Sequence, residues 1–276
     1  MASKQFQGVY FGFPVKAGSM LILLLAIVLA SSGWGMGQDN ADAIIQHSVE
    51  ANKRDWEAAP KFDCLERDHG SGGTKTYEDM MILGSPYQRL VAINGKPLTP
   101  AQTAVEAHKL EDTISERKKE SPQQKSERIA KYEKERRRNN LLMEQMTKAF
   151  VFKVVGETNL DGHDVYVLNA TPRPGYRPPN METEALTGME GKLWVDRDSF
   201  QWVKVEARVT HPVSIEGFLA EVEPGTHFEL EKEPVAPGIW LPRHFSMRAR
   251  SRILFLFPHH GQEDDTYSDC HVASPK

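Results

Sequence analysis

Apolar and polar residues alternate along most of the chain after residue 150, as they do in β-strands that bury one face. In the stretch 200–209, we expect Val203, Val205 and Val209 on one face and Lys204 on the other. Similar short stretches, rich in β-branched and aromatic residues, recur to the carboxyl end, with Asp-Gly and Pro-Gly turn signals between them. The pattern predicts a run of antiparallel strands.

Three further strands are predicted before residue 95. They cover 61–68, 74–83 and 87–94, and the glycine-rich segment between the first two is typical of a hairpin turn. With the later stretches they give about ten or eleven strands and no helices alternating between them, which favours one antiparallel sheet over a parallel α/β fold. Because so many neighbouring strands seldom stay flat, we expect a strongly curved sheet, or half-open barrel.

Helical patterns precede the strands and interrupt them once. Residues 39–57 place apolar residues along one stripe and predict an amino-terminal helix. The sequences TPAQ at 99–102 and SPQQ at 121–124 each combine a capping hydroxyl, a proline at the first helical position and a glutamine three residues after the cap. They predict an inserted helical hairpin over 99–148, so the fold class is α+β, mostly β.

The inserted hairpin carries Lys, Arg and Glu on nearly every side. This composition is typical of a solvated hairpin that projects from the body of a protein. A second interpretation makes its basic stretch, Arg136, Arg137 and Arg138, a docking surface for an acidic protein partner or for lipid headgroups. Both interpretations are compatible with the sequence.

The strand predicted from residue 239 onward alternates in the same way. Leu241, Phe245 and Met247 are expected on one face, together with Arg243. Arg243 is either a rim residue whose charged end reaches water or a lone polar anchor inside an apolar cavity. With the three valines of 200–209, these four residues are the candidate wall for an apolar ligand.

The amino terminus has the features of a secretory signal peptide over residues 1–33. Lys4 and Lys16 precede the apolar run 20–30, and small residues follow it. The run is shorter than the roughly 20 residues that span a bilayer, which favours a cleaved signal over an uncleaved anchor. We therefore expect export and a single mature domain over 38–276.

Charge and cysteine content narrow the function classes. A net charge of −4 provides no overall positive field, which argues against a protein that works mainly by binding nucleic-acid phosphates, although it leaves room for a local basic patch. The two cysteines, Cys64 and Cys270, lie near opposite ends of the mature chain. In an oxidising compartment they either form a disulfide or remain two separate buried thiols.

No set of residues predicts catalysis. Asp196 and Asp198 lie between two predicted strands, where aspartates usually bond their own backbone in a turn. The sequence contains no G-x-S-x-G nucleophile motif and no H-E-x-x-H zinc motif. His259 and His260 with nearby aspartates are better explained by a turn than by a metal site, because adjacent side chains on an extended chain face opposite ways. We expect no enzyme, no cofactor and no metal.

The order of these features resembles the LolA/LolB-like superfamily. The resemblance is carried by the signal peptide, the first helix, the early hairpin, the segments "LWVDRDSFQWVKVE" and "PGIWLP", and the final strand, and it covers 39–94 and 150–272. It implies a half-open antiparallel barrel, closed by helices, with an apolar cavity that holds acyl chains. The hairpin 99–148 and the long proline-rich loop 171–190 depart from the family pattern.

The resemblance implies a periplasmic protein that binds a lipid, an acylated lipoprotein or another apolar ligand, as in outer-membrane lipoprotein sorting. An alternative from another class is an envelope interaction or sensing module, similar to RseB, in which the hairpin and the proline-rich loop engage another envelope protein. A peripheral contact with a membrane is compatible with either expectation.

Overall fold

A computed structural model describes residues 35–70, 72–215, 220–253 and 257–273. The predicted signal peptide at 1–33 lies outside these residues. Among the helices that the structure describes, none is long and apolar enough to cross a membrane.

The described chain contains three α-helices and thirteen strands. The helices are α1 (Gly35–Ala58), α2 (Pro100–Lys119) and α3 (Pro122–Ala149). The strands are β1 (Phe62–Gly70), β2 (Gly73–Ile82), β3 (Ser85–Ile93), β4 (Lys96–Pro97), β5 (Phe150–Leu160), β6 (His163–Pro172), β7 (Met189–Asp196), β8 (Trp202–Val209), β9 (Val213–Ile215), β10 (Ala220–Val222), β11 (His227–Ala236), β12 (Ile239–Ile253) and β13 (Phe257–Val272). Two 3₁₀ segments, Ala59–Lys61 and Met181–Gly188, complete the order.

All strands belong to one sheet, in the order β4-β3-β2-β1-β13-β12-β11-β8-β7-β6-β5, with β10 beside β12 and β9 beside β10. Every pairing between these strands is antiparallel. The predicted fold class, a strongly curved and open antiparallel sheet with an amino-terminal helix and an inserted helical hairpin, is confirmed. The pairing of β1 with β13 joins the two ends of the described chain.

The two helices of the hairpin begin where their capping signals predict. Thr99 accepts a hydrogen bond from the backbone N–H of Gln102, with an N to Oγ1 distance of 3.3 Å. Ser121 and Gln124 repeat the arrangement at 3.2 Å. In both caps the glutamine side chain accepts a hydrogen bond from the cap residue's own N–H, so two free donors are satisfied at each helix start.

Helix α1 packs on one face of the sheet, which we call the inner face. Its residues Ala41, Ile44 and Ile45 join a buried cluster with side chains from β5 to β8. The strand side of this cluster includes Phe150, Phe152, Leu168, Leu193, Val195, Trp202 and Val205. The main hydrophobic core therefore lies between α1 and one half of the sheet.

Polar side chains fix the carboxyl-terminal half of α1 to the same face. Asp55 contacts the ammonium group of Lys232, accepts the backbone N–H of Trp240 at 2.9 Å and accepts the side-chain amide of Gln201 at 3.0 Å. Lys232 also donates to Asn52 at 2.9 Å. Both members of the ion pair are almost fully buried, with side chains 5% and 6% exposed. Burial lowers the pKa of Lys232, against the attraction of Asp55.

Arginines attach the α2–α3 hairpin to the body. Arg117 donates to the carbonyl oxygens of Ile82 at 2.7 Å and Ser85 at 2.9 Å, in the turn between β2 and β3. Arg128 donates to the hydroxyl of Ser85 at 2.7 Å and to both carboxylate oxygens of Glu120. The end of the hairpin at which α2 is followed by α3 is therefore anchored to the β2–β3 turn, although most of the hairpin surface is exposed.

Cys64 on β1 and Cys270 on β13 form a disulfide. Of the two alternatives that the sequence allows, the chain adopts the cross-link rather than separate thiols. The bond cross-links β1 to β13 and so reinforces the pairing of these two strands, which lie near opposite ends of the described chain.

Candidate functional site

The inner face is only partly covered by α1. On β11 and β12 it continues as four half-buried apolar side chains, Phe228, Leu230, Phe245 and Met247, which we call the apolar strip. Phe228 pairs directly with Met247 and Leu230 with Phe245 across the two strands. The rings of Phe228 and Phe245 meet edge to face with centroids 5.4 Å apart. Two residues of the predicted wall, Phe245 and Met247, thus lie together on this face.

The expected common face of Val203, Val205 and Val209 is wrong at Val203. Trp194 pairs with Lys204 but Val195 pairs with Trp202, so β8 carries one extra residue at this point. Such a bulge breaks the alternation of side chains.

Because of this bulge, Trp202 and Val205 both pack in the cluster beneath α1. Val203 instead packs with Val165 and Trp240 in a second cluster. Val209 is buried, with 3% exposure. The valines of β8 therefore form closed core and do not line an open surface.

A second bulge separates Leu241 from the apolar strip. Glu231 pairs with His244 and Lys232 pairs with Pro242, which leaves Arg243 as the extra residue of β12. Leu241 is consequently opposite Glu233, and it is buried, with 5% exposure. The expectation that Leu241 shares a face with Phe245 and Met247 is wrong for the same physical reason.

Arg243 is not a lone polar anchor in an apolar cavity. Its guanidinium donates to Glu231 at 2.7 Å and to Asp161 at 2.8 Å, and its side chain is 40% exposed. Hydrogen bonds to these two carboxylates raise the pKa of Arg243 further. The alternative that the sequence left open, a rim residue with a hydrated charged end, agrees with this position.

A group of carboxyl side chains continues the inner face beyond the apolar strip. Glu66 on β1 pairs with Tyr267 of β13 and Tyr77 of β2, while Asp265 of β13 pairs with Phe245. We call Glu66, Asp79 and Asp265 the carboxyl cluster. Gln88 donates to Glu66 at 2.6 Å.

Burial and mutual repulsion shift these carboxyl groups toward their neutral forms. Burial, then a hydrogen bond and repulsion from Asp79, raises the pKa of Glu66 to about 9. Burial, then repulsion from Glu263 and Asp68, raises the pKa of Asp265 to about 7. Burial also raises the pKa of Asp79. Glu66 therefore carries a proton at neutral pH.

The carboxyl cluster is not predicted by the sequence pattern. Glu66 and Asp79 belong to neighbouring strands, but Asp265 lies about two hundred residues further along the chain and reaches them only through the β1–β13 pairing. Acidic residues recur on one face of β1, and this recurrence is the only sign of the cluster in the sequence. Because a solvated strand face shows the same pattern, it does not predict a buried cluster.

A different cluster on the other face has the geometry of a cation site. Ligand atoms of Glu229, Glu231 and His244 lie within 4.8 Å of one another. The ammonium group of Lys204 already lies 2.7 Å from Glu229 and 3.4 Å from Glu231. Although burial opposes it, hydrogen bonding to Glu229 raises the pKa of Lys204 above its usual range. The ammonium group of Lys204 thus supplies the positive charge that balances these carboxylates.

The predicted turn residues behave as turn residues. Asp196 accepts hydrogen bonds from the backbone N–H of Ser199 at 2.8 Å and of Asp198 at 3.2 Å, and from the Ser199 hydroxyl at 2.6 Å. The interpretation of Asp196 and Asp198 as turn residues is confirmed. The side chains of His259 and His260 lie outside the described residues.

A shallow polar groove of about 470 Å³ lies across β6, β7, β8 and β11. Its wall combines negatively and positively charged side chains, namely Glu190 and Glu206 with Lys192 and Arg208. Arg208 lies 3.9 Å from Glu190, so part of this charge is already neutralised within the wall. The groove does not connect the predicted wall residues.

Comparisons with known proteins give no match to any protein-family model and none to any protein of curated function. Among solved structures, an outer membrane lipoprotein-sorting protein domain from Vibrio parahaemolyticus is 12% identical with a TM-score of 0.31, over 82% of this chain and 92% of that one. A DUF1329 family protein from Desulfovibrio piger ATCC 29098 is 10% identical with a TM-score of 0.31, over 84% and 92%. A LolA superfamily protein from Nitrosomonas europaea is 13% identical with a TM-score of 0.32, over 86% and 94%.

Proposed function

We propose that this protein is an exported, non-enzymatic binding protein that holds a lipid, an acylated protein or another apolar ligand on the inner face of its sheet. The observation that carries the proposal is the apolar strip. Phe228, Leu230, Phe245 and Met247 lie on the face that α1 covers elsewhere, yet they remain half-buried. A strip of this kind suits a flexible hydrocarbon chain, whose burial contributes roughly 25 cal/mol per Å² before ordering costs.

The protonation of the carboxyl cluster supports an apolar ligand on this face. A charged carboxylate beside an acyl chain would lose hydration without compensation. Glu66, with its pKa raised to about 9, is neutral at pH 7, and Asp265 is neutral for part of the time, since burial and neighbouring acids raise its pKa to about 7. The inner face therefore carries less charge than its residue types indicate.

Export is part of the proposal and rests on residues 1–33. Their basic start, apolar run and small-residue end are those of a secretory signal, and the disulfide between Cys64 and Cys270 fits an oxidising compartment such as the periplasm.

The test is native mass spectrometry of the gently purified protein, followed by organic extraction and by titration with a fluorescent fatty acid. We expect an excess mass that extracts as lipid, and saturable uptake of the probe. Phe245→Asp should weaken uptake by at least about tenfold, since it places a charge in the strip. Val155→Asp is the matched control, because Val155 is an exposed strand residue, 48% exposed, on β5.

Two results would count against lipid binding. One is a protein that carries no lipid and takes up no probe. The other is equal loss of uptake in the Phe245 and Val155 variants, because the strip would then have no special role.

A second candidate function is interaction with another envelope component through the α2–α3 hairpin. The exposed Arg137 and Arg138 favour it, because they extend from a helix that is otherwise attached to the body. Wild-type uptake of the fatty-acid probe by a protein with Arg137 and Arg138 replaced would separate this role from ligand binding.

A further inference from the structure

Helix α3 carries a concentrated positive charge. It contains eight Lys or Arg residues and four Glu residues, a net charge of +4, whereas the whole chain has a net charge of −4. Helix α2 is balanced, with four basic and four acidic residues. The positive charge is therefore a property of one helix and not of the hairpin as a whole.

The structure divides the arginines of α3 into two sets. Arg136, one of the predicted partner-binding residues, turns toward α1 and is only 17% exposed. Its guanidinium lies 4.3 Å from the ring centre of Trp56 and donates to the Trp56 carbonyl oxygen at 2.5 Å. Arg136 is thus a structural contact between α3 and α1, and it does not belong to the exposed basic surface of α3.

Four other basic residues of α3 lie on the opposite, solvent-facing side. Lys131, Lys134 and Arg138 follow a spacing of three and four residues, which puts them along one side of a helix, and Arg137 lies next to them. All four are exposed. They form a basic side about two turns long, which we call the basic side of α3.

The basic side lacks the apolar anchor that a protein partner needs. Among the described side chains, the large hydrophobic residues that are exposed are Val105, Val155 and Val272, and none belongs to α3. Protein interfaces draw most of their affinity from buried aromatic or apolar anchors at their centre. A surface of anionic lipid headgroups instead attracts clustered Lys and Arg by charge alone.

We propose that the basic side of α3 docks the protein on a bilayer surface that carries anionic lipid headgroups. The complementary charges supply the attraction. The rest of the molecule is acidic and is repelled by an anionic surface. The protein should therefore bind with its hairpin toward the membrane. This inference is independent of ligand binding at the apolar strip.

The experiment measures adsorption of the purified full chain to phosphatidylcholine vesicles with and without phosphatidylglycerol, at low and high salt. We expect adsorption that requires phosphatidylglycerol and weakens with salt. The triple variant Lys131→Gln/Arg137→Gln/Arg138→Gln should bind about a hundredfold more weakly, from about fivefold per charge. The fatty-acid probe should still bind it as wild type.

The matched control removes three other exposed lysines, Lys53→Gln/Lys75→Gln/Lys96→Gln. Because all forms share residues 1–34, any contribution of that segment cancels in the comparison. The control should retain adsorption within a few fold, since none of its three charges belongs to α3.

Equal losses in the two triple variants would overturn the proposal, because only overall charge would then matter. A loss in the α3 triple variant that is the same with and without phosphatidylglycerol would also overturn it. The proposal would likewise be overturned if the wild-type chain did not adsorb to vesicles but bound an acidic protein through the same residues.

Discussion

At the scale of single residues, the carboxyl cluster makes stability depend on pH in an unusual direction. An isolated Glu has a pKa of about 4.3, whereas burial and repulsion from Asp79 raise that of Glu66 to about 9 in the folded chain. Between these values the folded state holds a proton that the unfolded state has released, so the contribution of Glu66 to the free energy of unfolding falls as pH rises.

Glu66→Gln should remove this pH-dependent loss in the free energy of unfolding. The amide keeps the size of the side chain but does not titrate, so the variant should gain melting temperature over wild type at about pH 8 and much less at about pH 5. Thermal melts at the two pH values measure the difference. Glu57→Gln, at an exposed position on α1, is the control and should follow wild type. A constant offset between Glu66→Gln and wild type at both pH values would contradict the raised pKa.

The buried ion pair between Asp55 and Lys232 should be costly to break singly. Asp55→Leu leaves a buried ammonium group without its carboxylate, and Lys232→Met leaves a buried carboxylate without its ammonium group, so each should lower the free energy of unfolding by about 3–5 kcal/mol. The double variant Asp55→Leu/Lys232→Met should lose much less than the sum. Urea unfolding of the single and double variants measures this coupling.

The exposed pair Arg197 and Glu157, at 2.7 Å, is the control for the buried one. Its side chains are 45% and 50% exposed, so Arg197→Met should cost no more than about 1 kcal/mol. Additive losses at Asp55 and Lys232 would mean that the two residues do not act as a pair.

At the scale of elements, the sequence predicted those features that short local motifs determine. The two capping boxes set the starts of α2 and α3, and the Asp196 turn behaved as its residues indicate. The bulges at Val203 and Arg243 were not predictable, because one extra residue in a strand leaves no mark in an alternating pattern. Each bulge moves the residues on one side of it to the other face, which is why only part of the predicted wall is on the apolar strip.

Arg136 and Arg137 offer a direct test of which arginines hold α3 in place. Arg136→Gln removes the stacking on Trp56 and the bond to its carbonyl, so we expect a loss of about 1–2 kcal/mol in the free energy of unfolding. Arg137→Gln, one residue further along, should change it by less than about 0.5 kcal/mol. Chemical denaturation of the two variants gives both values, and equal values would contradict the division of the arginines.

At the scale of the whole molecule, the sheet depends on a junction between the two ends of the described chain. β1 leads to β2, β3 and β4 on one side, while β13 leads to the rest of the sheet on the other. Loops of this size are costly to close during folding. The disulfide between Cys64 and Cys270, 206 residues apart in sequence, fixes this junction covalently.

Removing the disulfide should therefore weaken the whole sheet. The entropy of closing so long a loop sets an upper value of about 5 kcal/mol, and native disulfides typically contribute about 2–5 kcal/mol. We expect Cys64→Ser/Cys270→Ser to lose an amount in this range in urea unfolding, and reductant to lower wild type to the same level while leaving the variant unchanged. Hydrogen exchange should then become fastest at β1 and β13, because the first strands can separate there. A loss of protection that begins instead at β5, the opposite edge, would show that the β1–β13 junction is stable without its cross-link.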